Sequence, residues 1–160
     1  MTTTSNSAEI TSDAPIVAER LMYFHLPGSH GGSTETIGET GSAPQSVYTF
    51  AEGYTANSFQ EFLTLLNPTS SDETVAITFF VDTYVIQQQI IVKAHSRQTL
   101  NINALVAPIT GTYVNGSGAP ADSLIVRALG VGASVVAERP MYFNFNGISG
   151  GTDVVGYTGG

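Results

Sequence analysis

One octapeptide occurs twice in this chain, and this repetition limits the possible folds more than any other feature of the sequence. Val17-Ala-Glu-Arg-Leu-Met-Tyr-Phe24 recurs 119 residues later as Val136-Ala-Glu-Arg-Pro-Met-Tyr-Phe143, with seven of eight positions identical. The similarity continues into the glycines that follow, because Gly31-Gly32-Ser33 corresponds to Gly150-Gly151-Thr152. Nothing between about residues 45 and 125 is duplicated. The sequence therefore contains one full structural period and a second copy of its closing segment.

Alternating hydrophobic residues predict β-strands along most of the chain. From Val75 to Val81 every second residue is hydrophobic, and Val85–Lys93 follows after a short connection as the second strand of a hairpin. Further candidate strands are Val47–Tyr54, Gln60–Asn67, Arg97–Asn103 and Ser123–Leu129. Helical periodicity extends over at most one turn, at Asn103–Val106. The pattern predicts an all-β fold, an antiparallel two-sheet sandwich of immunoglobulin-like or jelly-roll-like type with about eight or nine strands.

Composition and charge exclude several classes of protein. The chain has 13 acidic and 5 basic residues, a net charge of −8, which argues against a phosphate-binding surface and therefore against nucleic acid as a partner. No apolar run reaches the ~18 residues that a membrane span needs. Because the chain has no cysteine, it has no disulfide, no thiolate nucleophile and no sulfur-ligated metal.

The sequence divides into three parts. Residues 1–14 are polar and are predicted to form a flexible tail. Residues 15–44 hold the first copy of the duplicated strand and a glycine-rich linker, a candidate donor or extra strand, and residues 45–160 form the β-sandwich module. The first nine residues have neither the basic nor the apolar region of a signal peptide, so the sequence leaves the compartment open.

Three sequence blocks carry a resemblance to a known repeat. They are Phe50-Ala-Glu-Gly-Tyr54 with Phe59–Pro68, then Val92–Thr99, and then Val136–Phe143 with Gly150–Gly156. Over residues 45–157 the chain resembles a tandem repeat of large secreted surface proteins of bacteria. The resemblance implies a β-sandwich module that is strung in arrays and has no established enzymatic activity. The chain departs from that pattern by holding one complete module, with residues 16–41 resembling the closing block of another.

The surplus copy has two interpretations. It packs on its own molecule as an additional strand or is the remnant of a lost repeat, or it fills the equivalent position in a neighbouring subunit by β-strand donation. Donation predicts a heterologous contact that propagates as a fibre, received by the sheet edge near Val135–Asn144. The predicted assembly interface consists of Ile16, Val17, Ala18, Leu21, Met22, Tyr23, Phe24, Val136, Met141, Tyr142 and Phe143.

One substitution distinguishes the two copies. Pro140 has no N–H and is therefore expected on an edge strand or at a bulge, whereas Leu21 at the equivalent position can donate a hydrogen bond to a neighbouring strand. We expect the first copy to pair on both of its sides, with one of its neighbours in another subunit.

The Glu-Arg dipeptide of each copy places opposite charges on opposite faces of an apolar strand. One charge of each pair is therefore expected to point inward and to need a partner. The candidate buried ion pairs involve Glu19, Arg20, Glu138, Arg139, Glu52 and Arg97, and Glu61 and Arg127 are further possible partners.

Catalytic and metal-binding motifs are not found in the sequence. His25 and His30 lie five residues apart near a glycine loop, and His95 next to Ser96 makes no triad by adjacency alone. Loop carboxylates suit calcium best among metals, but no EF-hand pattern accompanies them. The loop carboxylates are Glu35, Glu39, Asp122 and Asp153. We predict no catalytic residue, no metal and no cofactor.

These observations predict a non-enzymatic structural protein that polymerises head to tail with itself into an extracellular fibre or surface layer. The alternative is a carbohydrate-binding or adhesion module with a cell-surface glycan as partner, for which several tyrosines would have to line one exposed face. The tyrosines considered are Tyr48, Tyr54, Tyr84, Tyr113, Tyr142 and Tyr157. A third interpretation is an isolated repeat that acts as a spacer.

Overall fold

Ten β-strands and one helix form the part of the chain that the computed structural model describes, which comprises residues 6–25, 31–39, 45–55, 58–81, 83–110 and 121–159. The strands are β1 (Glu19–His25), β2 (Gly31–Ile37), β3 (Val47–Tyr54), β4 (Phe59–Asn67), β5 (Glu73–Val81), β6 (Tyr84–Val92), β7 (Ser96–Asn101), β8 (Ala121–Leu129), β9 (Val136–Phe145) and β10 (Ile148–Val155). The helix α1 spans Ile102–Thr110.

Eight strands form two antiparallel four-stranded sheets. Sheet I has the order β10-β9-β4-β7 and sheet II the order β3-β8-β5-β6, while β1 and β2 pair only with each other. The prediction of an all-β antiparallel sandwich is confirmed. The described residues hold ten strands where about eight or nine were expected. The sequence pattern did not predict β2 and β10. Both are rich in glycine and serine or threonine, so they lack the alternation that marks the other strands.

The hydrophobic core lies between the two sheets and follows the predicted alternation. Val75, Ile77, Phe79 and Val81 of β5 are all buried, and Val92 at the end of β6 joins them. The hairpin predicted from these two strands is confirmed, with Thr78 opposite Gln87 on its outer side.

Two asparagines, Asn67 and Asn103, hold loops and the helix to strand β4. Asn67, fully buried at the end of β4, donates to the carbonyls of Ser71 and Val92 at 2.7 and 3.0 Å and so holds the following turn. Asn103 donates to the carbonyl of Phe59 at 2.9 Å and accepts the Glu61 N–H at 2.8 Å, which ties α1 to β4.

Helix α1 is longer than the single turn expected at Asn103–Val106. Asn101 accepts the backbone N–H of Ala104 at 3.0 Å and so caps the first turn. Ile102 and Val106 are buried in the core, and this burial stabilises a helix longer than the one turn that the sequence pattern indicated.

The position of Pro140 corrects the expectation that it lies on an edge strand. β9 lies between β10 and β4, so Pro140 is in a central strand and not on an edge. Its pairing with β4 is interrupted there, since the ladder runs from Glu61–Met141 to Thr64–Glu138 with no pairs between. The missing N–H of proline is accommodated by this gap. Because β9 is flanked on both sides, the predicted receiving edge at Val135–Asn144 is also wrong.

Candidate assembly interface

The two copies of the duplicated segment form the same hairpin. In the N-terminal hairpin (β1–β2), Leu21 pairs with Glu35 and Tyr23 with Ser33. In the C-terminal hairpin (β9–β10), the counterparts Pro140 and Tyr142 pair with Asp153 and Gly151. By this register Glu35 corresponds to Asp153, and Glu19 to Glu138, so each hairpin carries the same pair of carboxylates on one face.

A phenylalanine covers a glycine of the opposing strand in both hairpins. The Phe24 ring lies over Gly32 and the Phe143 ring lies over Gly150, and neither glycine has room for a Cβ atom. Each pair is directly opposed in its ladder. The aromatic ring covers backbone that would otherwise be exposed, which explains why glycine-rich β2 and β10 form strands.

The N-terminal hairpin is a third layer on the outer side of sheet I. Its docking face consists of Arg20, Met22 and Phe24, which alternate with exposed residues along β1. It rests on an acceptor face formed by Glu138, Tyr142, Gly151 and Asp153. Throughout the described ranges, no strand pairing joins this hairpin to either sheet. Side-chain contacts therefore hold it in place.

Ionic and aromatic contacts form this interface. The Arg20 guanidinium lies 2.9 Å from the Glu138 carboxylate and also binds Asp153, whose side chain is 1% exposed. The Phe24 and Tyr142 rings meet edge to face with centroids 4.9 Å apart. The Tyr142 hydroxyl donates to the Met22 sulfur at 3.6 Å. A Cβ atom at Gly151 would lie 2.9 Å from the Phe24 ring, so this glycine permits the close approach.

Burial and charge act against each other at the Arg20 cluster. Burial raises the pKa of Asp153 above its ordinary value, the neighbouring Glu138 adds to the rise, and Arg20 only partly offsets both. Burial disfavours the charge on Arg20, but Glu138 and Asp153 more than compensate, so the pKa of Arg20 is raised. The cluster thus holds a guanidinium between two carboxylates, one of which is costly to ionise.

The equivalent arginine of the second copy points into the sandwich. Arg139 lies 3.7 Å from the carboxylate of Glu61, which is fully buried, and its guanidinium carbon stands 5.4 Å from the centre of the Phe50 ring. The Tyr54 N–H donates to the same carboxylate at 2.9 Å. The face of the repeated strand that carries the arginine therefore points into the core in β9. In β1 the same face packs on the outer side of the C-terminal hairpin.

The structure brings together some of the predicted interface residues. Met22 and Phe24 meet Tyr142, whereas Leu21 and Tyr23 are 52% and 77% exposed on the opposite side of β1. The remaining predicted positions divide into exposed residues before β1 and half-buried residues. The exposed ones are Ile16 and Val17, and the half-buried ones are Ala18, Val136, Met141 and Phe143.

The candidate ion-pair residues have different environments. Arg20 pairs with Glu138, and Arg139 with Glu61. Glu19 and Glu52 are exposed, so the expectation that either is buried is wrong. The Arg97 guanidinium donates to the Thr64 hydroxyl at 3.3 Å. Within the described part of this single chain β1 pairs on one side only, with β2, and the expected second pairing in another subunit stays a prediction.

Two residues of the acceptor face were not predicted as such: Gly151 was not singled out, and Asp153, expected in a loop, lies in β10. Both belong to the block Gly150–Gly156 that carries the resemblance. The sequence alignment of the two copies places Asp153 on Thr34, so only the strand register of the structure matches Asp153 with Glu35.

Other chemistry finds little support within the described part of the chain. No group of three or more His, Asp or Glu side chains there is placed to hold a metal ion. No helix in that part is long and apolar enough to cross a membrane. Tyr48 is fully buried, while Tyr84 and Tyr157 are exposed beside opposite edges of sheet II. Tyr113 lies outside the described residues. The described tyrosines therefore do not line one exposed face.

Comparison with solved structures finds one of similar fold and a second, more distant match. The crystal structure of Thermotoga maritima 1070 matches with a TM-score of 0.57 and 14% identity, over 72% of this chain and 96% of that chain. The Anabaena sensory rhodopsin transducer matches with a TM-score of 0.47 and 18% identity, over 62% of this chain and 91% of that chain. No family model and no curated protein matches the sequence. The likeness to the Thermotoga protein is one of fold alone.

Proposed function

We propose that this chain is a non-enzymatic structural protein that assembles with itself outside the cell, and that neighbouring copies exchange their N-terminal hairpins. In this arrangement the docking face of one copy binds the acceptor face of the next. The contact replaces the strand donation suggested by the sequence, because β1 is already paired with β2 and meets sheet I through side chains, not by adding to a sheet edge.

One observation carries the proposal: within the described residues, the hairpin has no strand pairing with the rest of the molecule and is held by its docking face. The same contacts form equally well within one chain or between two. Exchange of an element between identical subunits creates no new type of contact and is a low-cost route to oligomers. If each copy gives its hairpin to the next, the chain of contacts stays open and grows as a fibre.

Crosslinking between differently labelled chains tests the exchange. The native chain has no cysteine, so Met22→Cys and Tyr142→Cys each introduce a single thiol, one on either side of the interface. Chains with one or the other substitution, distinguishable by a mass tag, are mixed at high concentration and treated with a short thiol-reactive crosslinker. We expect mixed covalent dimers.

The matched control pairs Met22→Cys with Ser70→Cys, an exposed turn residue far from the interface in sequence. Mixed dimers no more abundant than in this control, together with efficient crosslinking inside a Met22→Cys/Tyr142→Cys double variant, would overturn hairpin exchange. A chain that forms no filaments in negative-stain micrographs and binds insoluble polysaccharide would favour the carbohydrate-binding alternative instead.

A further inference from the structure

We propose that the outward face of the N-terminal hairpin binds the outer face of sheet II in a second copy of this chain, with the carboxylates of Glu19 and Glu35 against the guanidinium of Arg127. This inference rests on the proposed self-assembly and names a second contact through which copies join.

The acidic outer face of the hairpin is formed by Glu19, Leu21, Tyr23, Glu35 and Ile37. Its three large apolar side chains are 52% to 77% exposed, namely Leu21, Tyr23 and Ile37. The side chains of Glu19 and Glu35 are hydrogen-bonded to each other, a contact that raises the pKa of Glu35. Among the described residues no cation lies within ion-pair distance of either. A contiguous exposed apolar patch marks an interaction surface, and the two adjacent carboxylates favour a partner of positive charge.

The C-terminal hairpin shows what such a face binds. Its counterpart carboxylates, Glu138 and Asp153, both contact the guanidinium of Arg20. The counterpart of Tyr23 is Tyr142, which also lies in that interface. The acidic outer face therefore repeats the two carboxylates and the tyrosine of a surface that binds an arginine within this same molecule. This repetition identifies a guanidinium as the partner group.

Arg127 is the exposed arginine available for this contact. It lies on β8 opposite Ala76, on the outer face of sheet II, and pairs with no carboxylate among the residues described. Each of the other four basic residues bonds a side chain of its own molecule, as Arg20, Lys93, Arg97 and Arg139 do. Arg127 borders a shallow depression of about 490 Å³ whose lining includes Phe80 and Gln87.

The Arg127 face is the outer surface of sheet II formed by Arg127, Phe80, Val85 and Ile91. Its last three residues are exposed apolar side chains. Phe80, Val85 and Ile91 are 38%, 61% and 56% exposed. All three belong to the outer side of the β5–β6 pair. Both faces thus combine large apolar side chains with unpaired charge of opposite sign, which gives complementary surfaces.

The order of layers determines how the contact propagates. The hairpin covers the outer side of sheet I, and sheet II lies on the inner side, so the acidic outer face and the Arg127 face are at opposite ends of the three layers. A contact between opposite ends of identical molecules is heterologous and does not close. Copies joined in this way stack into an open column of β-layers.

Charge-reversal variants test the contact between the acidic outer face and the Arg127 face. The variant Arg127→Glu and the variant Glu19→Lys/Glu35→Lys each place like charges on both faces, so we expect each alone to associate with itself on the order of tenfold more weakly than the native chain. An equimolar mixture of the two restores opposite charges at every contact and is expected to assemble again. Sedimentation velocity over a concentration series, with negative-stain microscopy, measures both.

Each matched control changes the net charge of the chain by the same amount as the variant with which it is compared. Ser7→Glu/Thr11→Glu lowers the net charge by two units, as Arg127→Glu does, and Glu9→Lys/Asp13→Lys matches the other variant, all at exposed positions before β1. These controls are expected to associate like the native chain. Full association of Arg127→Glu alone, or no recovery in the mixture, overturns this contact.

The result distinguishes this contact from hairpin exchange. If the charge variants associate normally but mixed Met22–Tyr142 crosslinks form, exchange holds and the Arg127 contact is wrong. If charge reversal abolishes assembly without changing the crosslinks, both contacts operate. A native chain that stays monomeric at every concentration overturns both.

Discussion

Arg20 lies 2.9 Å from Glu138, the residue that corresponds in the second copy to its own neighbour, Glu19. The first copy of the duplicated strand, β1, thus binds the second copy, β9. Arg20 of the first copy contacts Glu138, the residue before Arg139 in the second copy. A strand that displays Glu and Arg on opposite faces is complementary to a second such strand stacked on it. The internal repeat therefore supplies both sides of the candidate interface.

Removal of the Arg20 charge should release the N-terminal hairpin. In Arg20→Met the carboxylates of Glu138 and Asp153 lose their cation, and we expect the docked hairpin to be destabilised by about 1–3 kcal/mol, a value reduced because Arg20 is partly exposed. Hydrogen exchange in β1 and β2 measures the loss, while β4 and β5 should keep their protection. Lys93→Met, which removes an exposed cation away from the hairpin, is the control. Unchanged exchange in β1 would contradict the assigned role of Arg20.

A side chain at Gly151 should separate the same layers sterically. In Gly151→Ala the new Cβ lies 2.9 Å from the Phe24 ring and 3.0 Å from the Tyr142 ring, which forces both to move. We expect hairpin docking to weaken by about 1–3 kcal/mol. Gly38→Ala is the matched control, because its Cβ would meet only the Ala18 carbonyl, at 3.6 Å. Equal hydrogen-exchange protection of β1 in the two variants would exclude this close packing.

The buried carboxyl of Asp153 should make stability fall with rising pH in the acid range. Because the folded-state pKa of Asp153 is raised above 3.8, the folded protein holds this proton more tightly than the unfolded chain. Its contribution to stability is therefore complete below pH 3.8 and is lost as the pH rises through the raised pKa. Urea unfolding of the native chain and of Asp153→Asn across this range should show the largest advantage of the native chain at the lowest pH.

Asp72 provides a contrast of opposite sign. Its hydrogen bond from Lys93 lowers the pKa of this exposed carboxyl, so its contribution is present above pH 3.8 and is lost as the pH falls. The difference between the native chain and Asp72→Asn should therefore grow with pH. Parallel pH profiles for the two Asn variants would contradict the assignment of Asp153 as a buried acid.

Breaking the inner ion pair should affect the whole sandwich. In Glu61→Gln the Arg139 guanidinium, which belongs to a residue 8% exposed, loses its counter-charge, and we expect a loss of about 3–5 kcal/mol in unfolding free energy. Adding Arg139→Met to that variant removes the unpaired charge and should restore part of the loss. A double-mutant cycle by urea unfolding measures the coupling. Additive effects of the two substitutions would show that the pair is not coupled.

The strands with clear alternation could be predicted from sequence almost to the residue. β3 was expected at Val47–Tyr54 and is found there, and β4, β5, β6 and β8 differ from expectation by one or two residues at their ends. The strands β2 and β10 were missed because their pairing depends on Phe24 and Phe143, which cover the glycines of the opposing strand. A contact of this kind between two strands produces no alternation of hydrophobic and polar residues in the sequence of either strand.

The candidate site was predicted only in part, for a similar reason. The repeat identified the Glu-Arg dipeptides and the aromatic residues after them, but it could not show that β9 is a central strand or that Asp153 faces Arg20. Those facts depend on which strands lie beside β9, and the neighbours β4 and β10 come from distant and adjacent parts of the chain, respectively.

The sequence by itself determined that Glu and Arg of each copy lie on opposite faces of a strand, because side chains alternate along any extended backbone. Only the tertiary structure decided what each face meets. Arg139 lies between the sheets beside Glu61, whereas Arg20 lies outside them on Glu138 and Asp153. The physical reason is that the C-terminal hairpin pairs with β4 and so completes sheet I, which leaves the identical N-terminal face only the outer surface of that sheet to cover.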